Sequence, residues 1–229
     1  SGPSILNPNF EVIEYTGGAS YGKMGVANIL AGTDEECRHI TRKGKNFDLV
    51  LEYKGGDFFT LEYLVFQPNA EGNRNNLRNV AVWVHSERPD IAAYSSRFDD
   101  MLPTVYNAKP EAERPTPAPV EICTVAKRKV TPVDIKPVSG RYIHIKFIDT
   151  YDAEPSVTFL GPLCIIGSAG KHANEASSVI APYTAPAPTA APTNALAGVN
   201  WATMFASSAS TQETLPVVSF PEEKKPILI

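Results

Sequence analysis

The side chains best suited to catalysis or metal binding are four histidines (His39, His85, His144, His172) and three cysteines (Cys37, Cys123, Cys164). Their spacing supports neither role. The histidines form no regular set, and the chain has no HExxH, CxxC, GxSxG or phosphate-binding glycine loop. His85 and His144 fall within strand-like runs, where histidines satisfied by their neighbours are common. Asp99-Asp100 is a carboxylate pair only in sequence, because adjacent side chains usually diverge. With no nucleophile–base pair and no ligand spacing, the sequence predicts no enzyme activity, no cofactor and no transition metal. An odd number of cysteines without activating neighbours reads as buried apolar thiols, Cys164 within LCII above all, and points to a reducing compartment.

Recognition chemistry is better represented. The polar loop Thr33 to Lys45 carries Arg38, His39 and Arg42, and the long segment 86–119 carries Arg88, Tyr94 and Arg97. Arginine supplies a forked donor and tyrosine a rigid amphipathic surface, so these six are the candidate partner contacts. The competing reading is an ordinary solvated surface for the first loop and an arm packed on its own domain for the second. Asp34, Glu35 and Glu36 could supply hard oxygen ligands to calcium, an arrangement associated with sugar binding beside an exposed aromatic platform. Lys127-Arg128-Lys129 reads as a solvated strand edge.

The elements that must position these residues are strands. Phe47, Leu49, Leu51 and Tyr53 alternate with Asp48, Val50 and Glu52, and Gly55-Gly56-Asp57 turns the chain. Phe58 to Phe66 and Asn79 to His85 follow as further strands, and Phe10 to Tyr15 precedes them. Val120 to Val125, Gly140 to Asp149 and Val157 to Gly167 continue the pattern, with Pro132 to Pro137 as a connection and Ala92 to Leu102 at helical spacing. Such strands must close against a second sheet. The fold class is therefore all-β, a jelly-roll β-sandwich over residues 10–167, with Phe47, Leu49, Leu51, Leu61, Val82, Ile143 and Ile145 in its core.

The 229 residues allow one such domain with extensions. Net charge is -4, which gives no broad field to attract nucleic acid, and no apolar run is long enough to span a bilayer. The 20 prolines concentrate outside the strands. Residues 168–195 read as a linker, including the Pro/Ala/Thr run 181–193, and residues 196–229 as an extended tail. Within the tail, Trp201, Met204 and Phe205 lie at i, i+3 and i+4, the face of a short docking helix.

In order, Ala27 to Gly32 with Thr41, Phe47 to Leu51, Phe59 to Phe66, Val80 to Ser86, Gly140 to Ile145 and Leu163 to Gly167 resemble the motifs of the discoidin, or coagulation factor 5/8 type C, domain. That resemblance implies a galactose-binding-like jelly roll. No cysteine near residue 10 can partner Cys164, and the tryptophan common after the family's opening motif is absent. In this the chain resembles the family's intracellular relatives, which include a substrate-recruiting subunit of ubiquitin ligases and a DNA-repair scaffold. The expectation is a non-enzymatic module of the cytoplasm or nucleus, binding a protein or peptide through sandwich-end loops as a substrate-recruiting or scaffold subunit. A lectin-like module that binds a glycan is the alternative. Neither a membrane nor nucleic acid is expected as a partner.

Overall fold

The computed structural model of the chain describes residues 2–20, 25–31, 39–41, 44–68, 73–94 and 99–172. Among these residues eleven strands form in chain order: β1 (Ser4–Ile5), β2 (Phe10–Tyr15), β3 (His39–Thr41), β4 (Phe47–Tyr53), β5 (Phe59–Phe66), β6 (Leu77–His85), β7 (Glu121–Thr124), β8 (Thr131–Gly140), β9 (Tyr142–Thr150), β10 (Thr158–Leu160) and β11 (Leu163–Ala169). They pair as a five-stranded antiparallel sheet, β2-β4-β9-β6-β7, and a four-stranded one, β1-β11-β5-β8, with β10 and β3 as a separate pair. This is an antiparallel two-sheet β-sandwich, the all-β class expected.

The inner faces of the two sheets make one apolar core. Phe47, Leu49 and Leu51 of β4, Val82 of β6, and Ile143 and Ile145 of β9 meet Leu61 of β5, all at 0% exposure. Phe10, Tyr53 and Phe59 pack ring against ring at one end, with centroids 5.0–5.5 Å apart. Asn7 ties the N-terminal segment in: its side-chain amide donates to the Leu163 carbonyl at 2.7 Å, and the Ile165 N–H donates to its Oδ1 at 2.8 Å. Gly167 sits at a bulge of β11 so close to the Thr60 carbonyl that a side chain there would clash with it.

Three segments differ from the sequence reading. Pro132 to Pro137 is not a connection but part of β8, the outermost strand of its sheet, the place in a sheet where proline is tolerated. The closing run is two strands, β10 and β11, separated by Gly161-Pro162. The sheets also reach beyond residues 10–167, because the two-residue β1 pairs with β11 and β11 continues to Ala169. A two-residue strand has no readable period. The linker beyond His172 and the tail of residues 196–229 lie outside the described residues.

Leu49→Ala should lower folding stability by about 2–5 kcal/mol in urea unfolding, the range for emptying a fully buried leucine site.

Candidate functional site

Residues 86–94 and 99–119 form a strap across the outer face of the five-stranded sheet. In place of the helix suggested by Ala92 to Leu102, it has short 3₁₀ turns at Ile91–Tyr94 and Asp99–Met101, then α1 (Pro103–Ala108), with proline in its first turn. Met101 and Tyr106 are buried against Ala81, Trp83 and Ile148 of the sheet. The Trp83 indole N–H donates to the Pro117 carbonyl at 2.9 Å, pinning the strap's return to the sheet.

Beneath the strap lies a buried charged cluster. Asp48 of β4 is directly opposite Lys146 of β9, and His144 is opposite both Val50 and Trp83. The Lys146 ammonium, with no exposure, donates to Asp48 Oδ2 and to Asn46 Oδ1, each at 3.1 Å. Asn46 holds a positive φ of 52°, a conformation asparagine tolerates. His144 Nε2 lies 2.7 Å from Asp48 Oδ1. Because a carboxylate accepts, Nε2 carries the hydrogen, and the buried Nδ1 has no hydrogen-bond partner. Trp83 stacks on the His144 ring at 4.8 Å, and Tyr94 meets it edge-on at the same distance. His85 completes the group, its ring 6.1 Å from His144 and its Nε2 3.5 Å from the Tyr94 hydroxyl. Burial, reinforced by His144, pulls the His85 pKa down to about 4.

The second polar feature is open. At the end of the sandwich away from the β4–β5 turn, a cleft of about 260 Å³ is lined by Lys45, Arg78, Asp99, Asp149, Tyr151 and Asp152, with Leu102 and Pro155 at its apolar margin. Asp149, at the end of β9, accepts from the Asn79 side-chain amide at 2.9 and 3.1 Å and from the Asn79 N–H at 3.1 Å. Thr124 donates to Asn79 Oδ1 at 2.6 Å, so three neighbouring strands brace one carboxylate. Burial raises the Asp149 pKa, against the opposing pull of Asn79, Arg78 and Lys45. The Tyr151 hydroxyl donates to the Val125 carbonyl at 2.6 Å, and burial keeps it protonated by raising its pKa. That bond fixes the ring, with Arg78 and Lys127 each 5.6 Å from its centroid. Arg74 pairs with Asp152 at 3.1 Å. Gly44 abuts the Pro155 carbonyl with no room for a side chain, which seats the Lys45 loop on the rim.

The residues singled out from sequence fall elsewhere. Tyr94 packs inside the strap against Trp83, His85 and His144. Arg88, its side chain 57% exposed, pairs with Glu14 at 3.4 Å. His39 opens β3, its backbone opposite Leu160. Arg38, Arg42, Arg97 and the acidic run 34–36 lie outside the described residues, as do Trp201, Met204 and Phe205. Of the adjacent aspartates, Asp99 lines the cleft while Asp100 pairs with Lys109. Sequence reading passed over Lys45, Arg78, Asp149, Tyr151 and Asp152. The run Asp149-Thr150-Tyr151-Asp152 was the one local signal, an aromatic between two carboxylates at a strand end. Among the described residues, no group of three or more His, Cys, Asp or Glu is arranged to hold a metal ion, and no helix is long and apolar enough to cross a membrane.

No protein-family model matches the sequence, and no curated protein matches it. Solved structures do. The family 32 carbohydrate-binding module of Clostridium perfringens NanJ, solved with galactose, superposes with a TM-score of 0.50 at 10% identity, covering 72% of this chain and 98% of that one. A family 32 module from a family 31 glycoside hydrolase of the same organism gives 0.49 at 10% identity, over 71% and 94%. A fragment of a chitobiase-like protein of Bacteroides thetaiotaomicron gives 0.48 at 14%, over 75% and 95%. At 10% identity, the likeness to the NanJ module establishes the galactose-binding-like, or discoidin, fold.

Asp48→Ala should destabilise the chain by about 3–5 kcal/mol in urea unfolding, because it leaves the Lys146 ammonium buried and unpaired. Lys146→Met should do so less, since Asp48 keeps His144. A pH effect follows from His85. An unfolded histidine titrates at about 6.5, whereas burial and the neighbouring His144 pull folded His85 down to about 4. Across that window only the unfolded chain takes up the proton, so stability falls with pH until both forms are protonated. His85→Gln should flatten that part of the stability–pH curve.

Proposed function

We propose that the chain is a non-catalytic glycan-recognition module that holds a sugar in the end cleft. The observation that carries this reading is the mixture lining the cleft: Asp99, Asp149 and Asp152 as acceptors, Arg78 and Lys45 as donors, and Tyr151 as a fixed aromatic surface beside them. A sugar ring presents hydroxyls that donate and accept at once, together with a C–H face that packs on an aromatic ring. Neighbouring carboxylates and cations satisfy the hydroxyls, and the bracing of Asp149 by Asn79 reduces the ordering that binding requires. The solved galactose complex of the NanJ module supports a sugar ligand on this fold. The alternative, a protein or peptide held through Arg38, His39, Arg42, Arg88, Tyr94 and Arg97, has less support, because Tyr94 is occupied in packing the strap.

Titration calorimetry with galactose, N-acetylgalactosamine and a glycan array is the test. Saturable binding is expected, with Asp149→Ala weakening it about tenfold or more, the effect of losing a hydrogen bond to a charged group. Arg88→Ala should leave binding unchanged. Absence of saturable binding to any sugar would reject the proposal.

A further inference from the structure

The cations and carboxylates of the end cleft are not equally free to meet a ligand. Asp152 pairs with Arg74 at 3.1 Å, and its Oδ1 accepts from the Glu154 N–H at 3.3 Å. Asp149 takes three hydrogen bonds from Asn79, two on Oδ1 and one on Oδ2. A carboxylate offers about four acceptor positions, so Asp149 has room for a single further donor. Asp99, exposed at the rim, is the one carboxylate of the lining with no side-chain partner among the described residues.

The cations are in the opposite condition. Among the described residues, neither Lys45 nor Arg78 makes an ion pair or a side-chain hydrogen bond, and both act on Asp149 by charge alone. Lys127, whose ammonium lies over the same Tyr151 ring as Arg78, makes none either. These side chains are nonetheless rooted. The Arg78 carbonyl accepts from the Val125 N–H at 2.6 Å, and the ring beneath its guanidinium is fixed by the bond from the Tyr151 hydroxyl to the Val125 carbonyl. The Lys127 carbonyl accepts from Asn76 Nδ2 at 3.2 Å. Arg78 is therefore positioned while its N–H fork has no acceptor. With Arg74 and Asp152 cancelling, three cations stand against Asp99 and Asp149, on a chain whose net charge is -4. The cleft is locally positive on an acidic protein.

We propose that the cleft selects acidic sugars: Arg78 and Lys45 hold the carboxylate of a hexuronic acid residue, and a ring hydroxyl of the same residue donates to Asp149. A neutral sugar would satisfy Asp149 but leave the guanidinium fork to water. A planar carboxylate matches that fork with two parallel hydrogen bonds, which are stronger for being charged at both ends. Lys127 adds to the attraction without needing contact. This inference rests on the reading of the cleft as a sugar site and adds the charge of the sugar.

Titration calorimetry on the full chain tests it with two matched pairs, galacturonate against galactose and glucuronate against glucose. The members of each pair differ only in carrying a carboxylate or a hydroxymethyl group at C6. In at least one pair the acid should bind about tenfold or more tightly, the effect of a hydrogen bond between charged groups, and the preference should shrink in high salt. Arg78→Gln should bring the ratio of the two affinities close to one, Arg78→Lys should lower it in part, and Asp99→Asn should raise it. Equal binding within both pairs, or a preference for the neutral member, would overturn the inference and leave the sugar reading standing. So would an acidic preference that both Arg78→Gln and Lys45→Gln leave intact, or a glycan array on which only neutral glycans are bound. Acetate binding as tightly as the acidic sugars would mark a bare anion site and overturn it too. Absence of saturable binding to any sugar would reject the sugar reading, and this inference with it.

Discussion

A lysine ammonium with no solvent exposure constrains much of this structure. Lys146 sits on the outer face of the five-stranded sheet, where a charge would ordinarily meet water. Taking it out of water is tolerable only with a partner held in place, and that partner is Asp48, one strand away in perfect opposition. Asp48 in turn needs His144, and His144 needs the flat indole of Trp83 on one flank and Tyr94 across its edge. The strap supplies Tyr94, Met101 and Tyr106, so its described residues between β6 and β7 become a third layer of the sandwich. Long loops are usually exposed and functional. This one is largely occupied in excluding water from a charge cluster.

The strap also shapes the cleft. Its turn at Asp99–Met101 brings Asp99 and Leu102 to the rim of a site otherwise built from strand ends. Two polar systems with opposite characters are thus linked through one segment. The buried cluster is closed, each charge spent on a neighbour. The cleft keeps carboxylates and cations next to one another but open to solvent.

Strands with a clear period of two were legible in the sequence, because alternation records which side of a sheet is wet. Hence the core set from Phe47 to Ile145 is written in the alternation itself. The prolines of β8 hid a strand, since nothing in sequence distinguishes an edge position from a connection. The Asp48–His144–Lys146 cluster was hidden because its members lie 96 and 98 residues apart, and their opposition depends on register. The cleft was harder still: its polar lining comes from the β3–β4 loop, β6, the strap and the end of β9, so no spacing announces it. The stronger local signals, arginines and tyrosines in long loops, drew attention to Arg88 and Tyr94, which the fold employs in an ion pair and in packing.

The pairing of Ser4 with Gly167 has a consequence for larger architectures. It sets the first and last of the described strands side by side, about 4.8 Å apart, at the end of the sandwich opposite the cleft. A polypeptide entering and leaving at neighbouring points can be spliced into a host protein as a pendant without prying the host apart. The end cleft would then project outward, free of both attachment points, like a lamp on its bracket.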